Sequence, residues 1–278
     1  MAKTVTLPNG TKLPALGLGT WHMGEGGGGR RAEAATLRTG IELGLRVIDT
    51  AEMYADGGAE EVVADAMAGL RERVYLVSKV LPHNASHHGT IAACEKSLKR
   101  LKTDRIDLYL LHWRGSVRLS ETVEAFEQLK AAGKIADWGV SNFDKDDMQE
   151  LHRLANGKHC IANQVLYHAG SRGIEFDLLP YHQQHSVLTM AYCPLGQASL
   201  LGHPLLAKIA SKHNAAASAV ALAWLMTKPR VLPIPKSAQT DRVRDFVKAL
   251  DLELGAEDMA LIDKEFPPPR RKTPLDIV

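Results

Sequence analysis

The chain has 278 residues, a net charge of +2 and 45% hydrophobic residues, which suits one α/β barrel or two smaller domains and is ample for a sizeable core. Near-neutral charge without a basic stripe gives no footprint for nucleic acid. The one basic cluster, Arg270-Arg271-Lys272, falls in a proline-rich tail and reads as a solvated end.

The chain opens with Val5-Thr6-Leu7, then Pro8-Asn9-Gly10-Thr11, then Lys12-Leu13. Asn-Gly between short apolar runs predicts a hairpin. Strand and helix signals then alternate. Strand cores are predicted at 15–18, 45–49, 73–78, 106–111, 135–140, 161–165, 187–191 and 231–234. Helices are predicted near 31–43, 59–70, 88–101, 120–132, 145–155 and 175–185, then near 204–213, 216–227, 239–249 and 256–265. This alternation predicts a closed (β/α)8 TIM barrel, with the hairpin plugging its N-terminal mouth and the surplus helices decorating it. No Gly/Ser-rich linker divides the chain, so residues 1–278 read as a single barrel domain. The first strand is the weakest element, because it contains Gly17 and Gly19.

Polar residues stand where successive strands end. Asp49 closes Leu45–Ile48, Tyr54 follows in Asp-Thr-Ala-Glu-Met-Tyr, Lys79 closes Val74–Ser78, and His112 closes Ile106–Leu111. In a parallel barrel all strand C-termini share one face, and that face carries the chemistry. An acid, a phenol, an amine and an imidazole there suggest proton transfer. Each alone has a plainer explanation: Asp49 a helix cap, Tyr54 packing, Lys79 a solvated strand end, His112 a satisfied core histidine. Together they favour catalysis.

A competing signal is Gly24-Glu25-Gly26-Gly27-Gly28-Gly29, which satisfies G-x-G-x-x-G, with Asp49 following where a ribose-binding acid stands in a Rossmann fold. The glycines do not directly follow a strand, because Thr20–Met23 intervene. A Rossmann fold also has no use for eight βα units.

With Asp49-Thr-Ala-Glu-Met-Tyr54, Lys79 and His112 in place, the chain resembles the aldo-keto reductases. Further similar segments follow in order: Gly17-Leu-Gly-Thr-Trp21, Leu110-Leu-His-Trp113, Gly139-Val-Ser-Asn-Phe143, Asn163-Gln164, Ala191-Tyr-Cys-Pro-Leu195, and Ile234-Pro-Lys-Ser237 with Arg242. The resemblance covers nearly the whole length. It implies a barrel that reduces carbonyls with NADPH, acting on small aldehydes such as methylglyoxal.

Hydride transfer to a carbonyl leaves an alkoxide that needs a proton. Within the resemblance Tyr54 would be the acid, and Lys79 would make the phenol more acidic. Asp49 would hold Lys79 charged and in place. Neutral His112 would orient the carbonyl oxygen. The nicotinamide carboxamide would meet Ser141, Asn142 and Gln164, and Tyr192 would stack on the ring. Gly19, Thr20 and Trp21 would lie near ribose and pyrophosphate, with Cys193 and Leu195 also on the cofactor. Lys236, Ser237 and Arg242 would take the 2′-phosphate, which favours NADPH over NADH. Trp21, Met53 and Trp113, beside Tyr54 and His112, would wall the substrate pocket.

Three positions depart from the family pattern. Cys193 stands where many relatives have serine beside the pyrophosphate, and Phe246 where many have an asparagine on adenine. Arg114 replaces a frequent proline and reads as solvated. His83, His87 and His88 lie in the loop after Lys79, with no carboxylate or cysteine among them. They are expected to flank the pocket rather than bind a metal. The loop after His112 and the tail beyond Phe266 are short, which implies an open pocket for small aldehydes. Cys94, Cys160 and Cys193 are three in number and far apart, with no C-x-x-C, which fits free thiols in a reducing compartment. The start has no signal-peptide pattern and no apolar run is long enough to cross a bilayer. The expectation is a cytoplasmic monomer without membrane or nucleic-acid partners. A dinucleotide-binding sensor on the same barrel is the alternative function.

Overall fold

The computed structural model describes residues 3–26 and 29–278. Two short strands, β1 (Thr4–Thr6) and β2 (Lys12–Pro14), form the expected antiparallel hairpin, with Val5 opposite Leu13. Eight parallel strands follow: β3 (Gly17–Gly19), β4 (Val47–Asp49), β5 (Tyr75–Val80), β6 (Ile106–Leu111), β7 (Ile135–Ser141), β8 (Cys160–Leu166), β9 (Leu188–Tyr192) and β10 (Val231–Pro233). Each pairs with the next in chain order. At the seam the Gly19 N–H donates to the Pro235 carbonyl at 3.0 Å, so β3 meets the end of β10 and the barrel is nearly closed.

Among the described residues ten α-helices accompany the strands: α1 (Arg30–Glu42), α2 (Gly58–Ala66), α3 (His87–Leu101), α4 (Leu119–Ala131), α5 (Lys145–Arg153), α6 (Leu178–Gln184), α7 (Pro204–Lys212), α8 (Ala217–Leu225), α9 (Thr240–Lys248) and α10 (Ala256–Glu265). α1 shows the expected period, burying Ala34, Leu37 and Ile41 on one face. α5 starts at a capping box between Asp144 and Asp147. α7 and α10 are the surplus helices, held together by Asp258, which takes Lys212 and His213.

The first strand begins two residues later than predicted, at Gly17. The glycines that weaken it in the sequence are required by its position. A Cβ on Gly17 would lie 3.0 Å from the Val47 carbonyl, and one on Gly19 would lie 3.1 Å from the Ile234 carbonyl. The G-x-G-x-x-G match falls between β3 and α1 of a barrel, so the Rossmann alternative fails. Its Gly27 and Gly28 lie outside the described residues.

Period-2 alternation sorts the strands into two cores. Outward residues such as Ile48, Leu76, Tyr109 and Trp138 pack under the helices. Inward residues fill the barrel: Val47; Tyr75 and Val77; Leu108 and Leu110; Leu188 and Met190; Leu232 and Ile234. Val5, Leu7 and Leu13 of the hairpin join this inner cluster, which is the expected plug. Asn9 Nδ2 ties the hairpin tip to Asp137 at 2.6 Å.

Candidate active site

The same alternation places the polar residues. The next inward position after Val47 is Asp49, after Val77 it is Lys79, after Leu110 it is His112, and after Met190 it is Tyr192. Beyond Ile234 it is Lys236. A purely apolar inner core therefore ends in a polar layer at the C-terminal mouth. Lys79 lies inside β5 rather than just past it, because pairing with β6 continues to Val80 and Leu111. It is fully buried, so the reading of a solvated strand end is wrong.

Lys79 Nζ donates to Asp49 Oδ2 at 2.8 Å, to the Thr50 carbonyl at 2.9 Å and to Tyr54 Oη at 3.1 Å. Three acceptors around one nitrogen use all three protons of an ammonium. Burial opposes that charge, but the Asp49 carboxylate and the Tyr54 phenol outweigh it and hold the amine above its ordinary value. Asp49 Oδ1 accepts from Gln164 Nε2 at 2.7 Å, so both carboxylate oxygens are engaged.

Because Tyr54 Oη accepts from Lys79, its own proton is free to point elsewhere. Burial raises the phenol above its ordinary value, and Lys79 acts in the opposite direction. The acidifying influence expected of Lys79 is present, and burial outweighs it. The phenol therefore keeps its proton at neutral pH. Tyr54 and His112 meet edge to face, ring centres 5.7 Å apart. Burial first, and then the Lys79 charge, push His112 down to about 2, so its imidazole is neutral. Its Nδ1 is buried and has no partner among the described residues. The arrangement can deliver one proton from Tyr54 to an oxygen held beside His112.

These residues line a cleft of about 1260 Å3, larger than the ~300–1,000 Å3 of an ordinary small-ligand site. Met53 and Trp113 are exposed at its mouth, and Trp21 stands beside them. Ser141 and Gln164 are register partners on β7 and β8, with the Ser141 hydroxyl donating to the Gln164 carbonyl at 2.9 Å. Asn142 sits between, donating through Nδ2 to the His112 carbonyl at 3.2 Å and accepting from Tyr192 Oη at 2.9 Å. Gln164 Oε1 takes no hydrogen bond among the described residues. The cleft runs on past Gly19, Cys193 and Leu195 to Lys236 and Ser237 before α9 and to Arg242 in its first turn. Lys236 and Arg242 are exposed and make no ion pair among the described residues. An elongated cleft with an open amide oxygen at one end and two unpaired cations at the other fits a phosphorylated dinucleotide.

Some placements differ from expectation. Thr20 is fully buried outside the cleft, its hydroxyl donating to the Asp49 carbonyl at 3.0 Å. Arg114 lines the cleft but pairs with Glu150 at 2.9 Å rather than standing solvated. Lys272 of the basic tail cluster pairs with Asp146 at 3.0 Å. His83, His87 and His88 do not line the cleft, and no metal-binding group of three or more His, Cys, Asp or Glu occurs among the described residues. Cys193 and Phe246 both line the cleft, and burial pushes the Cys193 thiol up, away from thiolate. The tail reaches further than its length suggests. Ser171 holds Asp276, and Ile277 and Val278 line the cleft mouth. The sequence reading missed that pair, although two apolar residues closing a polar tail were a signal.

The model of the Aldo/keto reductase family matches residues 15–265. Methylglyoxal reductase YeaE of Escherichia coli (strain K12) is 53% identical over 281 residues, covering 99% of each chain. Glyoxal reductase of Bacillus subtilis (strain 168) is 35% identical over 94% of this chain and 91% of its own. An aldo/keto reductase from Klebsiella pneumoniae, solved in complex with NADP and acetate, superposes with a TM-score of 0.98 at 54% identity over the whole of both chains.

Proposed function

The chain belongs to the aldo/keto reductase family, and on that premise we propose that it reduces small aldehydes and ketones, methylglyoxal among them, with NADPH. The observation that carries this reading is the bonding of Lys79 Nζ to Asp49, the Thr50 carbonyl and Tyr54 at once. When bound, the reduced nicotinamide supplies a hydride to the carbonyl carbon.

The chain's own residues do the rest. Neutral His112 donates a hydrogen bond to the substrate oxygen and aims it at Tyr54. Tyr54 gives up its proton as charge develops on that oxygen. Lys79 stabilises the phenolate left behind, and Asp49, fixed by Gln164, keeps Lys79 charged. Ser141, Asn142 and Gln164 would hold the carboxamide, with Tyr192 against the ring. Gly19, Trp21, Cys193 and Leu195 would line the path to the 2′-phosphate, which falls to Lys236, Ser237 and Arg242. Thr20 would act behind this wall, through the Asp49 carbonyl. Met53, Trp21 and Trp113 would bound a pocket suited to small carbonyls, with Ile277 and Val278 narrowing its mouth.

We read the chain as a single-domain enzyme acting as a monomer. Its three free thiols fit the cytoplasm, and among the described residues no helix is long and apolar enough to cross a membrane. A dinucleotide sensor would have no use for the Tyr54–Lys79 contact, so that alternative is not favoured. The test is consumption of NADPH and of NADH across a panel of small aldehydes. Turnover with methylglyoxal or glyoxal, faster with NADPH, is expected. Tight NADPH binding without turnover on any aldehyde would favour the sensor.

A further inference from the structure

Tyr54 leads into a strained turn. Ala55 and Asp56 both adopt the left-handed region, each with φ of 50°, and Gly57 follows at 90°. Adjacent non-glycine residues in that region persist where their surroundings over-determine them. Packing braces the far side of the turn. A Cβ on Gly57 would strike Arg100, and one on Gly58 would lie 2.8 Å from the Gly24 carbonyl.

On the near side Lys79 Nζ reaches the Thr50 carbonyl and Tyr54 Oη, the Glu52 N–H donates to the Lys79 carbonyl at 3.4 Å, and one further side chain spans to the next loop. Glu52 stands two residues before Tyr54, and its Oε1 accepts from the Leu81 N–H at 2.8 Å and from Asn84 Nδ2 at 3.0 Å. Leu81 and Asn84 belong to the loop that leaves β5 directly after Lys79 and Val80. One carboxylate oxygen thus ties the loop carrying the phenol to the strand end carrying the amine. Glu52 does not line the cleft, so it touches neither substrate nor cofactor.

We propose that Glu52 is a positioning residue for proton transfer, holding Tyr54 Oη in register with Lys79 Nζ by clamping the β4–α2 loop to the β5–α3 loop. The proposal rests on Tyr54 being the proton donor. Both donors converge on one oxygen with two lone pairs, so the clamp needs an acceptor rather than a charge. The side-chain oxygen of glutamine would serve, and alanine would not.

The test compares Glu52→Ala, Glu52→Gln and Asn84→Ala with Tyr54→Phe, measuring kcat, NADPH Kd by fluorescence and the pH profile of kcat. In Glu52→Ala, kcat should fall by ~10- to 100-fold, the scale of an ångström-sized misplacement, with NADPH Kd unchanged. The apparent pKa of the alkaline limb should rise, because a more distant Lys79 lowers it less. Glu52→Gln should restore both readouts. Asn84→Ala keeps the Leu81 bond and should show a smaller fall in the same direction; it decides the matter if Glu52→Ala does not fold. Wild-type kcat and pH profile in Glu52→Ala, even with lowered stability, beside an inactive Tyr54→Phe, would overturn the clamp and leave the proton-donor reading standing. So would a Glu52→Gln as impaired as the alanine variant, or a wild-type Asn84→Ala. An active Tyr54→Phe would remove both.

Discussion

Lys79 donates to a carboxylate, a carbonyl and a phenol, and each bond bears on a different outcome. Without the ammonium, Tyr54 loses the charge that stabilises its phenolate, and Asp49 becomes a buried carboxylate held only by Gln164. Lys79→Met should therefore lower kcat by ~10²–10⁴-fold, the usual range for losing general-acid function. Breaking the buried pair should also lower stability by ~3–5 kcal/mol, measured by denaturant unfolding. The double variant with Tyr54→Phe should be far less than additive in kcat, because the two residues act as a unit. Full additivity would mean that Lys79 acts some other way. His112, held near 2 by burial and by Lys79, should contribute no limb to kcat between about pH 5 and 8. A limb there that vanishes in His112→Gln would contradict its neutral state. Asp49, Lys79 and His112 were legible because each ends an apolar run, and Tyr54 because it follows Asp49 by five residues on the same face. The Thr50 carbonyl was not, since a backbone acceptor leaves no mark on residue identity. Nor was Glu52, whose partners lie in the next loop.

At the level of elements, the proposed 2′-phosphate site lies at the N-terminus of α9. Lys236 and Arg242 are unpaired among the described residues, and Ser237 Oγ accepts from the Gln239 N–H at 3.1 Å at the start of the helix. A charge-assisted hydrogen bond to a phosphate is worth roughly 1.5–3 kcal/mol, about ten- to over a hundredfold in binding. Both side chains are exposed, so solvent and salt take part of this. Arg242→Ala should raise the Kd for NADPH while leaving that for NADH nearly unchanged, and the wild-type preference should weaken as salt rises. Equal weakening for both cofactors would remove Arg242 from the 2′-phosphate. The barrel strands were legible because buried parallel strands read as continuous apolar runs. β3 was displaced because its glycines answer to carbonyls of the neighbouring strands, Gly17 to Val47 on β4 and Gly19 to Ile234 at the seam, which local sequence does not contain. The tail was misjudged for a similar reason: Asp276 is anchored by Ser171, over a hundred residues earlier.

Across the whole molecule, burial couples stability to pH. It pushes His112 down to about 2, His152 to about 4 and His182 to about 3, from an ordinary 6.5. His182 is fixed in its neutral form by Asn163 Nδ2 donating to Nε2 at 3.1 Å, which leaves the Nδ1 proton for Thr189 Oγ1 at 2.8 Å. Below about 6.5 the unfolded chain binds protons at these residues that the folded chain refuses. Their contribution to stability is therefore complete above that value and is lost as pH falls toward the folded values. The urea midpoint should drop between about pH 7 and pH 5, and less steeply in His182→Gln. An identical slope in the variant would show that His182 takes no part.

We propose that this one chain brings a reduced dinucleotide, a small carbonyl and the proton of Tyr54 together. Tyr54→Phe removes that proton and keeps the ring, and the most direct measurement is its turnover of methylglyoxal with NADPH beside the wild type. We expect kcat to fall by at least ~10²–10⁴-fold while NADPH Kd stays unchanged. Near-wild-type turnover by the phenylalanine variant would contradict the account.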